Sequence, residues 1–244
     1  MSRTIQAAGE AIELLDRDQC QDIAERVHAL RAHWTARSKA APFFTLGAAS
    51  YLDASPPAFD QQYRAKAAEY NPILWQHFKP LYACFRQRLS QHLGEPVFYD
   101  TALALPGFHV FLADPTWGRA VASIHADRQY QNIDWSGYEN EGALDDSRQL
   151  SITLSIDLPS AGAGLRLWEV NSRQVPELSP EQRKATLQAH RKPHYLPYRC
   201  GCAVIHSGHQ FHQIAPMPDM ADGEQRLTLQ AHALPTAQGW VVYW

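Results

Sequence analysis

The sequence predicts an α+β chain in which helices precede an all-β core, a sandwich or barrel. Three observations carry this expectation. Residues 1–94 contain two stretches with apolar residues at helical spacing. Beyond Gly94 the texture changes to short apolar runs separated by turn residues. The length, 244 residues, suits one domain. We therefore expect a single domain over 1–244, with a mainly helical support region at 1–94 and the β core at 95–244.

The first helix is expected from about Glu10 to Trp34, where Ile12, Leu15, Ile23, Val27 and Leu30 recur at roughly helical spacing. FFTLGAASYLD then reads as a short extended piece with a turn. A second helical segment runs from about Pro57 to Leu93 and carries Tyr63, Tyr70, Leu74, Phe78, Leu81, Phe85 and Leu89. Proline removes a backbone donor, so interruptions are expected near Asn71-Pro72 and Lys79-Pro80. Gly94 closes the segment as a helix C-cap. The strands that follow are expected at 107–113, 119–125, 149–159, 164–170, 200–206, 210–216 and 225–234, with GWVVYW last. Turn signals fall at Asp114-Pro115, Ser160 to Gly164, Ser207-Gly208 and Asp222-Gly223. Two long interruptions, 128–148 and 171–195, read as lids. The second includes a helix, in which Ser179 and Gln182 make a capping box around Pro180.

Composition narrows the function classes. With 45% apolar and 19% charged residues, the chain is ordinary globular material. The net charge is −3 and no basic stretch is dense enough for a phosphate footprint, which argues against nucleic acid. No apolar run is long enough for a bilayer, and the N-terminus lacks the organisation of a secretory signal. A cytoplasmic location is expected. Cys20, Cys84, Cys200 and Cys202 complete no zinc spacing and read as reduced packing residues, the last two sharing one strand face.

Chemistry concentrates at His125-Ala126-Asp127. On a strand, residues i and i+2 face the same side, so an imidazole and a carboxylate can converge on one ion. This triplet arises easily by chance in a chain with 12 histidines. More weight comes from HSGHQFHQIAP, which supplies a distal histidine, and from Arg226 and Thr228 on the strand after it. Two histidines and one carboxylate on one face leave three positions of iron(II) open. A cosubstrate with a distal carboxylate also needs a fixed cation, which Arg226 can supply in bidentate form. His206, His209 and His212 compete for the distal position. His232 reads as a strand residue.

His-x-Asp, the distal His212-Gln213-Ile214-Ala215-Pro216 and Arg226-x-Thr228 together resemble the iron(II)/2-oxoglutarate-dependent dioxygenase superfamily over about residues 107–234. The resemblance implies a double-stranded β-helix (jelly roll, cupin-like), with His125 and Asp127 after its second strand and His212 on its seventh. It implies Fe(II) held by His125, Asp127 and His212, 2-oxoglutarate held by Arg226 and Thr228, and O₂ as co-oxidant. The implied reaction is hydroxylation of an unactivated C–H bond of a small molecule, such as an amino acid or natural-product intermediate. Related halogenases have a small residue where Asp127 stands, so desaturation and ring formation stay open but halogenation does not.

Tyr130, Gln131, Trp135 and Trp168 are candidate substrate contacts, with core packing the alternative for Trp168 and lid packing for Trp135, and Thr153 and Gln230 are candidate further cosubstrate contacts. Asp134, Glu139, Glu141, Asp145 and Asp146 make the first interruption acidic, which suits a cationic substrate or a solvated loop. Two alternatives stay open: a cupin-like metalloenzyme that does not use 2-oxoglutarate, and a non-catalytic β-sandwich binding module. The oligomeric state is not legible in the sequence.

Overall fold

In the computed structural model, residues 9–119, 121–139, 144–173, 179–189 and 192–244 are described. The expected β core is present, a large, mainly antiparallel sheet backed by helices and faced by a smaller sheet, but the segment before Gly94 is not purely helical and gives three strands to the large sheet. Among the described residues, no helix is long and apolar enough to cross a membrane.

The chain opens with β1 (Glu10–Glu13), α1 (Arg17–Ala29), β2 (Thr35–Ala36), β3 (Phe43–Leu46), α2 (Ser50–Asp53), α3 (Phe59–Leu93) and β4 (Val97–Tyr99). Then come β5 (Gly107–Leu112), α4 (Ser136–Glu139), β6 (Leu150–Asp157), β7 (Gly164–Asn171), α5 (Pro180–Ala189) and β8 (His194–Pro197). The chain finishes with β9 (Cys202–Ser207), β10 (Gln210–Ile214), β11 (Gln225–Thr236) and β12 (Gly239–Tyr243). The major sheet has nine strands with a main path β1-β9-β6-β11-β5-β3-β2, while β12 pairs with β11 and β4 runs parallel to β12. The minor sheet is β10-β7-β8.

Strand alternation gives the major sheet two faces. Leu227, Leu229, Ala231 and Ala233 of β11 join Ile152 and Leu154 of β6 and Phe108 and Val110 of β5 in one apolar core. Opposite them in that core lie Ile23 and Val27 of α1 and Tyr63, Leu74, Phe78, Phe85 and Leu89 of α3. The residues between these on the strands turn the other way, towards the minor sheet. There Phe111, Leu165, Leu167, Tyr198 and Val204 form a second cluster.

Local chemistry explains several element boundaries and corrections. The first helix starts later than expected, because Asp16 makes a capping box: Gln19 N donates to its carboxylate at 2.8 Å and Asp16 N donates to Gln19 Oε1 at 2.9 Å. Residues 10–13 instead form an edge strand on β9. In α3 only the second proline bends the backbone, at Phe78 (φ −125°, ψ 19°). Pro72 sits inside a continuous helix, since the buried stripe through Tyr70 and Leu74 holds the turn against the sheet. Gly94 caps the helix in the left-handed region, at φ 72°. The capping box at α5 forms as the sequence predicts.

Residues 119–125 do not make the expected strand; only His125 pairs, as an isolated bridge to His212. Residue 120 lies outside the described residues. Cys200 and Cys202 do not share a strand face either. The chain turns at Gly201, so Cys200 is exposed and Cys202, the first residue of β9, is buried. All four cysteines are free.

One close approach ties this fold to its cavity. A Cβ built on Gly107 would lie 2.1 Å from Trp244 Cζ3 and 2.8 Å from the Leu46 carbonyl oxygen, so β5 meets β3 and the Trp244 ring there without room for a methyl. Gly107→Ala is expected to cost about 1–3 kcal/mol through overpacking. A urea titration followed by far-UV circular dichroism checks this, and an unchanged midpoint contradicts it.

Candidate metal centre and its cavity

His125 stands in the segment before the first interruption, Asp127 two residues later, and His212 in the middle of β10. Backbone pairing brings them together. His125 N donates to His212 O at 3.0 Å, His212 N donates to His125 O at 2.8 Å, and Asp127 N donates to Gly208 O at 2.8 Å. The segment is therefore stitched to β10 and to the turn before it, and all three side chains face one point. One ligand atom from each lies within 4.8 Å of the other two. His125 Nε2 is 3.8 Å from Asp127 Oδ1, and His212 Nε2 is 3.5 Å from Asp127 Oδ2.

Hydrogen bonds set the ligand atoms. His125 Nδ1 lies 2.7 Å from Ser123 O, and His212 Nδ1 lies 2.9 Å from Gln210 O. A carbonyl only accepts, so each Nδ1 carries the proton and each Nε2 presents a lone pair. Asp127 Oδ2 accepts from Ser151 Oγ at 2.5 Å, while Oδ1 has no hydrogen bond among the described residues. Burial holds the His212 imidazole neutral, lowering its pKa to about 3 despite the pull of Asp127. Burial alone would raise the Asp127 pKa. The imidazoles of His212, His232 and His125 and the Ser151 hydroxyl outweigh it and hold the carboxyl below its ordinary range. Two neutral imidazoles and a carboxylate, the donor set of the 2-His-1-carboxylate triad, fit ferrous iron and leave one face open.

Other histidines surround the triad without joining it. The His206 ring stands 4.7 Å from that of His212, with Nδ1 2.9 Å from the Ser207 carbonyl oxygen. His209 Nε2 lies 2.7 Å from the Asp146 carbonyl oxygen. His232, on β11, has Nδ1 3.8 Å from Asp127 Oδ2.

The triad opens into a cavity of about 250 Å³ between the sheets. From the major sheet, Arg226, Gln230 and His232 of β11, Ser151 and Thr153 of β6 and His109 of β5 line it. Arg226 is only 1% exposed, and its Nε and Nη1 have no hydrogen-bond partner among the described residues. Its guanidinium lies 5.1 Å from the Phe111 ring and 5.4 Å from the Tyr198 ring, and no carboxylate pairs with it among the described residues. Burial lowers its pKa from the ordinary value. Thr228 is buried on the same strand face, but its Oγ1 accepts from Gln230 Nε2 at 2.7 Å and it does not border the cavity. Thr153 and Gln230 do border it, hydrogen-bonded to each other at 3.0 Å.

The four expected substrate contacts do not reach this cavity. Tyr130 is buried, donates to Asp146 Oδ2 at 3.0 Å and stands against His209. Trp135 donates to Tyr130 O and packs on Tyr243 in the helix-backed core. Gln131 is exposed. Trp168 packs with Val170, Leu187 and Phe211 on the far side of β7. The described part of the interruption folds back on the core, with Gln129 its one contribution to the cavity among the described residues. Its described acids are engaged elsewhere: Asp134 Oδ1 accepts from Ser136 N, Asp145 Oδ1 accepts from Ser147 N, and Asp146 pairs with Arg173. Glu141 and the Glu139 side chain lie outside the described residues. Sequence reasoning missed Ser151, His109, Tyr51 and Tyr198. Ser151 and His109 carried the signal of alternation, whereas Tyr51 and Tyr198 carried none, because they arrive from a short helix and a loop.

Burial lowers the pKa values of His109, His206, His212 and His232 together. The unfolded chain then takes up protons near pH 6.5 that the folded chain refuses. Stability from these groups is full above that pH and is lost as pH falls below it, at a slope that reaches at most about 1.4 kcal/mol per pH unit for one imidazole. The depressed Asp127 pKa acts in the same direction at lower pH. The melting temperature of the metal-free protein is expected to fall steeply from pH 6.5 to 5, and a flat profile contradicts the assignment.

No protein-family profile and no curated protein matches the chain. Among solved structures, similar ones include an N-substituted L-amino acid dioxygenase from Burkholderia ambifaria, with 19% identity over 91% of each chain and a TM-score of 0.48. The non-haem alpha-ketoglutarate-dependent epimerase SnoN of nogalamycin biosynthesis aligns over 92% of this chain and 76% of its own, with 12% identity and a TM-score of 0.51. The carbocyclase SnoK of the same biosynthesis, also non-haem and alpha-ketoglutarate-dependent, aligns over 95% and 83%, with 11% identity and a TM-score of 0.50. The chain thus has the jelly-roll fold of these alpha-ketoglutarate-dependent non-haem proteins.

Proposed function

We propose that this chain is an iron(II)- and 2-oxoglutarate-dependent oxygenase that oxidises a C–H bond of a small molecule. One observation carries the reading. A His-Asp-His triad with an open face and a buried guanidinium lacking a carboxylate partner line the same cavity. A buried cation without an anion is costly, and two aromatic faces offset only part of that cost. A dianionic cosubstrate whose 2-oxo acid end meets the metal and whose distal carboxylate meets Arg226 satisfies both groups. A cupin-like enzyme working without 2-oxoglutarate would leave Arg226 unexplained.

In this reading His125 and His212 present Nε2 and Asp127 presents Oδ1 to the metal, while Ser151 occupies Oδ2. Iron with 2-oxoglutarate and O₂ supplies the oxidising power for an unactivated C–H bond. The protein orients the cosubstrate through Arg226 and excludes water with Phe111, Leu165, Ile214 and Trp117. The carboxylate of Asp127 fills the position that halogenation would need for chloride, so oxygen insertion is the outcome we favour, with desaturation and ring formation as the nearest alternatives. The cavity's size suits a small molecule.

The deciding assay is succinate formation from 2-oxoglutarate by the iron-loaded protein under air. Activity that needs both additions and vanishes in Asp127→Ala supports the reading, and ferrous-iron binding without any 2-oxoglutarate binding refutes it. Arg226→Gln is expected to keep metal affinity and to weaken 2-oxoglutarate by roughly 10- to 100-fold, the worth of one charge-assisted hydrogen bond. Arg226→Met is expected to raise the melting temperature of the ligand-free protein while losing the cosubstrate, because it removes a buried unpaired charge. Thermal melts with and without 2-oxoglutarate read both effects.

A further inference from the structure

The cavity has a second polar corner that neither the triad nor the cosubstrate uses in the reading above. His109, on the inner face of β5, is 6% exposed and lines the cavity. Its Nε2 is hydrogen-bonded to the hydroxyl of Tyr51, which reaches in from α2. Its Nδ1 is buried with no partner among the described residues. Native proteins rarely leave such an atom unsatisfied, and its burial without a partner is costly until something binds it.

The surroundings say what kind of group would bind. Phe43 and Trp244 stand edge-on to the imidazole at 5.1 and 5.5 Å, so the corner is walled by aromatic rings. Burial, and then the nearby charges of Arg226 and Arg37, hold His109 neutral. Whichever way the Tyr51–His109 bond runs, the pair keeps one spare proton to donate, on Nδ1 or on the tyrosine oxygen. Asp127 is the one carboxylate among the described cavity-lining residues, and the metal claims it. Donors and positive potential without a free acid favour an acceptor oxygen and reject an ammonium group.

We propose that Tyr51 and His109 form a substrate subsite that receives a carboxylate or carbonyl oxygen of a small molecule carrying no positive charge. The proposal rests on the function assigned above and deepens it. Tyr51 is placed for this role by its helix. Asp53 of α2 forms a buried ion pair with Arg37 at 2.6 Å and accepts from Ala49 N at 2.8 Å, which sets α2 at the cavity rim. Tyr51 itself is 37% exposed, with its ring at the mouth and its hydroxyl inside.

The test uses protein loaded with Co(II) and saturating 2-oxoglutarate, titrated calorimetrically with isobutyrate, isobutyramide and isobutylamine, three probes alike in shape and unlike in charge. Isobutyrate and isobutyramide are expected to bind, with isobutylamine at least about tenfold weaker. His109→Leu is expected to weaken isobutyrate by about tenfold or more, and Tyr51→Phe by several-fold, with Co(II) and 2-oxoglutarate affinities unchanged. Tyr51→Phe removes one oxygen at the rim and carries the test should His109→Leu fail to fold. Equal binding of the amine, no binding of any probe, or isobutyrate binding indifferent to both substitutions overturns the proposal. So does a fall in 2-oxoglutarate affinity, which would assign the pair to the cosubstrate. Failure of the wild-type protein to bind 2-oxoglutarate with Co(II) is a separate result, and it strikes the functional reading itself.

Discussion

The alternation of β11 is the constraint on which the rest depends. This strand pairs with β5, β6 and β12, so its two faces set the two faces of the sheet around it. Leu227, Leu229, Ala231 and Ala233 must meet the helices, which obliges Arg226, Thr228, Gln230 and His232 to face inward. A slip of one residue would bury the guanidinium under α3 and turn leucines into the cavity. The helices thereby do more than cover the sheet. They fix its register, and the register fixes which groups the cavity holds.

Charge is managed inside that cavity in two ways. Asp127 is buried among imidazoles, and Ser151 and the backbone bond to Gly208 hold it in place. Arg226 is buried between two aromatic rings with hydrogen-bonding capacity unused. The first offers a donor set suited to a cation, the second one suited to an anion. A folded protein tolerates such groups at a cost in stability, and a ligand returns that cost as affinity.

The interruptions illustrate how a lid-like sequence can serve packing instead. Tyr130 and Trp135 looked like pocket residues because they follow the metal motif closely. Both have polar tips that find partners within the loop, and both bury large rings more effectively against the core than in a wet cavity. The cavity wall is drawn instead from distant segments, with Tyr51 from α2, Tyr198 from the loop before β9, and Trp244 from beyond β12.

The sequence by itself placed the strands β5, β6, β7 and β11 and singled out His125, Asp127, His212 and Arg226, which the fold brings to one cavity. These follow from short-range rules: period, turn chemistry, and the i, i+2 geometry that aims two side chains alike. Only the tertiary structure decided that residues 119–125 form no regular strand and that the Thr228 hydroxyl is engaged by Gln230, whereas the Asp16–Gln19 capping box that starts α1 is a local signal that apolar periodicity alone passed over. The tertiary structure alone assembled Ser151, His109, Tyr51 and Tyr198 around the triad. Those contacts join residues tens to more than a hundred positions apart, and the free energy that selects them comes from packing across sheets, which no local pattern records.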